Sequence, residues 1–166
     1  MHRLTTEQRS NIVRAAKEWL GTPYHHHARI KGAGADCAMF PLAVYQECGV
    51  LPREYRPPQY SVQWHLHRSD ELYLREIVEF AVEIETPPQP ADFIVFRFGR
   101  TFSHGAIVVA WPVVIHAYIP HGVLLSDALR DGELLGREHK SFELRPVAAM
   151  ETANRLSDDS RMTITL

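Results

Sequence analysis

The residues of this chain best suited to do chemistry are one cysteine and two histidines. Cys37 follows a glycine-containing loop, Gly32 to Asp36, and stands at the start of an apolar run with helical spacing. A thiol at a helix N-terminus faces unpaired backbone N–H groups and the positive end of the helix dipole, which stabilise a thiolate and can hold an oxyanion. The pattern predicts a nucleophile, although a buried structural cysteine is an equal alternative for Cys37 taken alone.

Two histidines lie in neighbouring apolar runs that are predicted to form a β-hairpin. His104 enters the first run, His116 lies within the second, and Ala110–Pro112 is a plausible turn between them. Folding about residue 110 would set the histidines opposite one another on one face, with Cβ atoms within about 5.5 Å. One imidazole would then take the thiol proton while the other orients it. A single histidine in a strand is usually structural, so it is the shared register that favours catalysis.

The elements that must position these residues change type along the chain. A capping-box sequence at Thr5–Gln8 predicts a first helix that ends at Gly21, and further helices are predicted for Cys37–Glu47 and for Ser69 to about Val82. After a proline-rich turn at residues 87–90, short β-branched and aromatic runs predict strands. The predicted strands are Phe93–Phe98, Gly105–Ala110, Val113–Tyr118, Val123–Leu125 and Phe142–Pro146. Helices followed by strands predict an α+β domain with an antiparallel sheet.

Size and composition limit the classes of protein to consider. At 166 residues and 19.0 kDa the chain suits one core but is short for two. We assign residues 1–150 to a single domain with an inserted excursion over residues 52–85, and residues 151–166 to a polar C-terminal tail. The formal net charge of -2, from 18 basic and 20 acidic residues, gives no electrostatic footprint for nucleic acid.

The N-terminus has no apolar run behind a basic start, and no segment reaches membrane-spanning length. We therefore expect synthesis in the cytoplasm without a signal peptide, and no membrane insertion. The only cysteines are Cys37 and Cys48. On one helix they would lie roughly 16 Å apart along the axis, too far for a disulfide. Cys48 is predicted to be a small core residue at a helix end.

Several short motifs resemble the NlpC/p60 family of cell-wall cysteine peptidases, and they occur in that family's order. The motifs are Gly21–Tyr24, Ala35–Cys37, Pro90–Phe96, Ser103–His104 and Ile115–Ala117. The resemblance implies a papain-like α+β fold in which the cysteine-bearing helix packs on an antiparallel sheet that carries both histidines. It also implies hydrolysis of amide bonds in peptidoglycan stem peptides, with Cys37 as nucleophile, His104 as general base and His116 as the residue that holds the base.

Two further residues take roles from the same resemblance. Tyr24 matches a tyrosine whose hydroxyl assists the oxyanion, with packing on the cysteine helix as the alternative. Asp36 matches an acid that meets a substrate amine in many members, but it could equally cap the helix. The segments Gly21–Gly49 and Phe96–Phe98 most resemble the phage-tail and gene-transfer-agent branch. The expected partners are therefore a peptidoglycan peptide and proteins of a phage-like tail or gene-transfer agent.

Two departures from the family pattern bear on the substrate more than on the chemistry. Ala38-Met39 stands where many members have Ser-Gly, and His25–His27 replaces glycines that often follow the tyrosine. Adjacent residues of an extended chain point to opposite sides, so three successive histidines rarely ligate one ion; no metal or other cofactor is predicted. Two other functions stay open: a non-catalytic tail or hub component, and an acyltransferase or amidase that acts on small molecules through the same thioester.

Overall fold

Three helices lie against one face of a six-stranded antiparallel sheet in the part of the chain that the computed structural model describes, residues 3–60 and 72–146. The helices are α1 (Thr6–Lys17), α2 (Met39–Glu47) and α3 (Leu72–Ile77). A short ribbon, β1 (Arg29–Ile30) and β2 (Gly34–Ala35), leads into α2. The sheet strands are β3 (Ala81–Ile84), β4 (Phe93–Phe98), β5 (Thr101–Ala110), β6 (Val113–Tyr118), β7 (Gly122–Asp127) and β8 (His139–Leu144). Their order, β3-β8-β4-β5-β6-β7, confirms the predicted α+β class.

The first helix begins where its capping box predicts. The Thr5 hydroxyl accepts from the Gln8 backbone N–H at 3.2 Å, and the Gln8 side chain accepts from the Thr5 N–H at 2.8 Å. These two bonds satisfy donors that a helix start otherwise leaves unpaired. Ile12 and Ala16 are fully buried beneath the helix. None of the helices within residues 3–60 and 72–146 is long and apolar enough to cross a membrane.

The cysteine lies in the turn that leads into α2, slightly ahead of the predicted position at the helix start. The helix begins at Met39, but the Phe40 N–H already bonds to the Asp36 carbonyl at 3.0 Å. The Asp36 carboxylate accepts from the Ala38 and Met39 N–H groups at 3.1 and 2.8 Å. Asp36 therefore caps the helix, and Cys37 is held in the capping turn.

The third helix is shorter than predicted, and a strand that we did not predict follows it. The predicted start at Ser69 lies outside the described residues, and α3 ends at Ile77 rather than near Val82. The chain then turns and β3 pairs with β8, with Ala81 opposite Leu144. Val78, which follows α3, is 55% exposed. Pairing with a strand remote in sequence overrides the local helical spacing here.

The strands around the histidines follow the prediction more closely. β4 and β6 have the predicted bounds, whereas β5, β7 and β8 all begin earlier than predicted. Both faces of the sheet are buried: the helices cover one, and residues 128–134 cover the other. Of the predicted excursion, residues 52–60 lack helix and strand, and the predicted tail over residues 151–166 lies outside the described residues.

Candidate active site

The thiol of Cys37 lies against the β6 side of strand β5. The Val108 N–H bonds to the Asp92 carbonyl at 2.9 Å, so the backbone groups of Gly105, three residues away on β5, point away from β4 and towards β6. Pairing between the described strands β5 and β6 reaches Ile107 and stops there. Beyond that point Cys37 Sγ lies 3.8 Å from the Ser103 carbonyl oxygen and accepts from the Gly105 N–H. The thiol thus contacts backbone groups of the two residues that flank His104 in the sequence.

A glycine at position 105 is what permits this approach. A Cβ there would lie 2.2 Å from the Tyr73 hydroxyl oxygen, 2.5 Å from the Phe93 ring and 3.0 Å from the Cys37 carbonyl oxygen. The Tyr73 hydroxyl in turn donates to that Cys37 carbonyl at 3.0 Å. The backbone of the nucleophile is therefore fixed between α3 and β5.

Burial acts on the cysteine in the direction that favours the protonated thiol. It raises the pKa of the Cys37 thiol to about 12, and the neighbouring Asp36 carboxylate acts in the same direction. The N–H groups of Gly105 and of Cys37 itself oppose the shift but do not cancel it. The thiol needs a base that removes its proton during attack.

The two histidines are in direct contact, as the hairpin predicted. His104 Nε2 lies 2.7 Å from His116 Nδ1, and His116 Nε2 lies 2.9 Å from the Ser126 hydroxyl. His104 is 6% exposed and His116 is fully buried. Nε2 of His104 is therefore engaged with His116.

The hairpin register differs from the predicted one, although the turn is where it was expected. Ile107 pairs with Ile115 and Val108 with Val114, and an irregularity between Val108 and Ala110 shifts the ladder. Continued along the strands, this register sets the two histidines diagonally instead of opposite. The imidazole rings, with centroids 5.0 Å apart, are long enough to meet across the diagonal.

His116 is neutral at ordinary pH. Burial lowers the pKa of its imidazole to about 4, and the Glu133 and Asp131 carboxylates offset this only in part. A neutral ring can accept a hydrogen bond from His104 while donating through its other nitrogen. His116 therefore has the electrostatic state that an orienting residue needs.

The candidate substrate residue Asp36 is enclosed by the chain itself. Its fully buried carboxylate accepts from the Tyr60 hydroxyl at 2.7 Å and from the His27 N–H at 2.8 Å, in addition to the capping bonds. The Tyr60 carbonyl oxygen lies 3.2 Å from His26 Nε2 and 2.7 Å from His27 Nε2. Of the two roles weighed for Asp36, capping is observed, and binding of a substrate amine stays a prediction.

No family model and no curated protein matches this sequence. Several solved structures do match. The chain aligns over 80% of its length with 96% of the NlpC/p60 domain of the peptidoglycan hydrolase SagA, at 18% identity and a TM-score of 0.53. It aligns over 87% of its length with NlpC1 of Trichomonas vaginalis (16% identity, TM-score 0.61) and with an NLP/P60 lipoprotein-like protein of Staphylococcus aureus (19%, 0.58). It spans only 46% and 43% of those two chains.

The chain has the NlpC/p60 fold. The predicted papain-like architecture is therefore confirmed at the level of the fold.

Within this NlpC/p60 fold, Tyr24 lies near Cys37, and its role at an oxyanion stays a prediction. It forms a bridge to Ala35, and burial together with nearby Cys37 and Asp36 raises the pKa of its hydroxyl above the ordinary value. The hydroxyl therefore stays protonated and can donate a hydrogen bond to a developing oxyanion.

Four residues of the site were not predicted from the sequence: Tyr60, Tyr73, Gly105 and Ser126. The first three act through contacts between segments far apart in sequence, for which no local pattern exists. Ser126 could have been found, because extending the strand arithmetic to the next hairpin places it on the same face as His116.

Proposed function

We propose that this chain is a cysteine peptidase that hydrolyses amide bonds in peptidoglycan stem peptides, with Cys37, His104 and His116 as its catalytic group. The observation that carries the proposal is the hydrogen-bonded pair His104–His116, together with a thiol that lies against the backbone of the residues flanking His104. The NlpC/p60 fold supports it, and so does the sequence resemblance.

The first half of the reaction forms a thioester. His104 Nδ1 takes the thiol proton as Cys37 Sγ attacks the amide carbonyl carbon. The Cys37 N–H and the Tyr24 hydroxyl donate to the oxyanion of the tetrahedral intermediate. When the intermediate collapses, the C–N bond breaks and His104 returns the proton to the leaving amine.

The second half hydrolyses the thioester. His104 takes a proton from water as the water oxygen attacks the acyl carbon, and the thiol leaves with that proton restored. His116 fixes the ring of His104 in both halves through its 2.7 Å contact. Because His116 is uncharged, we expect it to contribute less than a carboxylate would in the same position.

Cleavage of purified muropeptides, followed by liquid chromatography and mass spectrometry, tests the proposal. Wild type should release one pair of fragments, and Cys37→Ala should lose the activity by about a thousandfold or more. Cys48→Ala is the matched control, since Cys48 is half-buried at the end of α2, away from the histidines. An active Cys37→Ala variant would contradict the proposal. Products joined to an added amine would instead indicate acyl transfer.

We further propose that the peptidase reaches the wall as part of a phage-like tail. Support comes from the resemblance of Gly21–Gly49, Phe96–Phe98 and His116–Tyr118 to that branch of the family. Mass spectrometry of purified particles from the producing cells tests this route. Particles that contain the protein would support it, and particles that lack it would contradict it.

A further inference from the structure

Ser126 ends a buried row of hydrogen bonds that begins at the proposed base. The row runs from His104 Nε2 to His116 Nδ1 and on from His116 Nε2 to the Ser126 hydroxyl oxygen. The Ser126 residue is 4% exposed, and His116 is fully buried. Polar atoms closed off from solvent in this way have to be satisfied by one another.

The direction of the protons along this row decides whether His104 can act as a base. A neutral imidazole carries one proton, so one ring nitrogen donates and the other accepts. If His116 donates to Ser126, its Nδ1 accepts from His104 Nε2, and His104 Nδ1 carries a lone pair. If Ser126 donates instead, each proton moves to the other nitrogen, and His104 Nδ1 already carries a proton when the thiol needs to lose one.

The charged state of His104 permits only the first direction. Once it has taken the thiol proton, His104 is an imidazolium that donates from both nitrogens, so His116 Nδ1 has to accept. Burial keeps His116 neutral, with a pKa of about 4, and its single proton then lies on Nε2. The Ser126 oxygen, at 2.9 Å, is placed to accept it.

We propose that Ser126 is a positioning residue whose hydroxyl oxygen accepts the Nε2 proton of His116 and so holds His104 in the tautomer that receives the thiol proton at Nδ1. The catalytic meaning of this assignment rests on the proposed function. The tautomer itself is a property of the resting protein and can be measured without substrate.

The tautomer is measured by two-bond 1H–15N correlation spectra of the uniformly labelled protein at pH 7. The chain has 10 histidines, so the His116 signals are assigned by their loss in His116→Gln. Wild type and Ser126→Thr should carry the His116 proton on Nε2, and Ser126→Ala should move it to Nδ1. Ser141→Ala, which removes another buried serine from strand β8, is the matched control. A His116 proton on Nδ1 in wild type, or on Nε2 in Ser126→Ala, would overturn the proposal.

Muropeptide kinetics with the same variants separate positioning from simple packing. Ser126→Ala should lower kcat about tenfold to a hundredfold with KM within about twofold, because a donor left unsatisfied in the charged state raises the barrier. Ser126→Thr should restore most of kcat. A Ser126→Ala enzyme with a lower melting temperature but the wild-type kcat would overturn the proposal. If wild type cleaves nothing, the proposed function fails, but the spectra still decide the role of Ser126. If Ser126→Ala does not fold, the spectra of wild type and Ser126→Thr decide that role.

Discussion

The two sides of the Cys37 thiol are built in different ways. On one side, His104, His116 and Ser126 come from consecutive strands and form a single buried row of contacts at 2.7 and 2.9 Å. On the other side, Asp36 is bonded by Tyr60, which is 24 residues away along the chain, and by a half-exposed loop that contains His26 and His27. The first side is closed to solvent and its geometry follows from strand pairing. The second is assembled from loops.

Under the proposed function, this contrast assigns proton transfer to the first side and substrate recognition to the second. Strand pairing fixes the histidine row independently of what binds in the cleft. The two sequence departures from the family pattern lie near Asp36: Ala38-Met39 at the start of α2 and His25–His27 in the loop before β1. Variants on the two sides should therefore affect different kinetic constants.

The largest effect should come from the histidine row itself. His104→Ala removes the proton acceptor and should lower kcat on muropeptides about a thousandfold or more, whereas His116→Ala removes only its support and should cost about tenfold to a hundredfold. Steady-state kinetics of both variants measure the difference. A greater loss in His116→Ala than in His104→Ala would mean that the two roles are reversed.

The burial of His116 should also be visible in the pH dependence of stability. Its pKa is lowered from 6.5 to about 4, so between those values the unfolded chain binds a proton that the folded chain does not. Above pH 6.5 the titration of His116 should not affect the free energy of unfolding. As the pH falls from 6.5 towards 4, that free energy should decrease by up to about 3 kcal/mol.

Urea unfolding at pH 7 and pH 4 measures this loss. The loss should be smaller in His116→Gln than in wild type, and His121→Gln, a change at an exposed histidine, should behave like wild type. Equal pH dependence in wild type and His116→Gln would show that His116 is not responsible.

The position of the Cys37 thiol should be sensitive to a single methyl group added at residue 105. Gly105→Ala puts a Cβ 2.2 Å from the Tyr73 hydroxyl oxygen, which should displace Cys37 and lower kcat about a hundredfold. Gly132→Ala is the matched control, because no heavy atom lies within 4 Å of its added Cβ. Kinetics and thermal melts of both variants test this, and a fully active Gly105→Ala enzyme would contradict the close approach.

The smallest effect is expected on the loop side. Tyr60→Phe removes the hydroxyl that donates to Asp36 but leaves the sulfur and both histidines in place. We expect KM to change by about tenfold or less, with kcat within about twofold. Tyr55→Phe is the control, because the Tyr55 hydroxyl bonds to Glu76 and not to Asp36. A loss of kcat as large as in His116→Ala would remove the distinction between the two sides.

Local sequence signals predicted the parts of this fold that depend on neighbouring residues. The Thr5–Gln8 capping box, strands β4 and β6 and the turn before Val113 are where the pattern placed them. The prediction failed where distant pairing decides. β3 forms by pairing with β8, which is remote in sequence. The β5–β6 register differs from the predicted one because of an irregularity between Val108 and Ala110 that no residue type in the sequence indicates.

The residues of the candidate site also divide into those that local sequence signals predicted and those that depend on contacts between distant segments. The contact between His104 and His116 could be predicted by folding the two strands about their turn, since both residues belong to one hairpin. Cys37 could be singled out as a helix-start thiol, but its neutral resting state depends on burial by parts of the chain far from it in sequence. The Tyr60 and Tyr73 contacts had no signal, because a tyrosine in an irregular segment has many possible partners.

Alkylation of Cys37 by iodoacetamide tests the central claim, that His104 activates this thiol, without any assumption about substrate. Rates at pH 7 are followed by peptide mass spectrometry in wild type and His104→Ala, with Cys48 as an internal reference in each sample. Burial raises the pKa of the Cys37 thiol to about 12, which disfavours a thiolate at this pH, so we expect its reactivity to depend on the base. We predict that His104→Ala slows alkylation of Cys37 by about tenfold or more and leaves that of Cys48 unchanged. Equal rates of Cys37 alkylation in the two proteins would contradict the account.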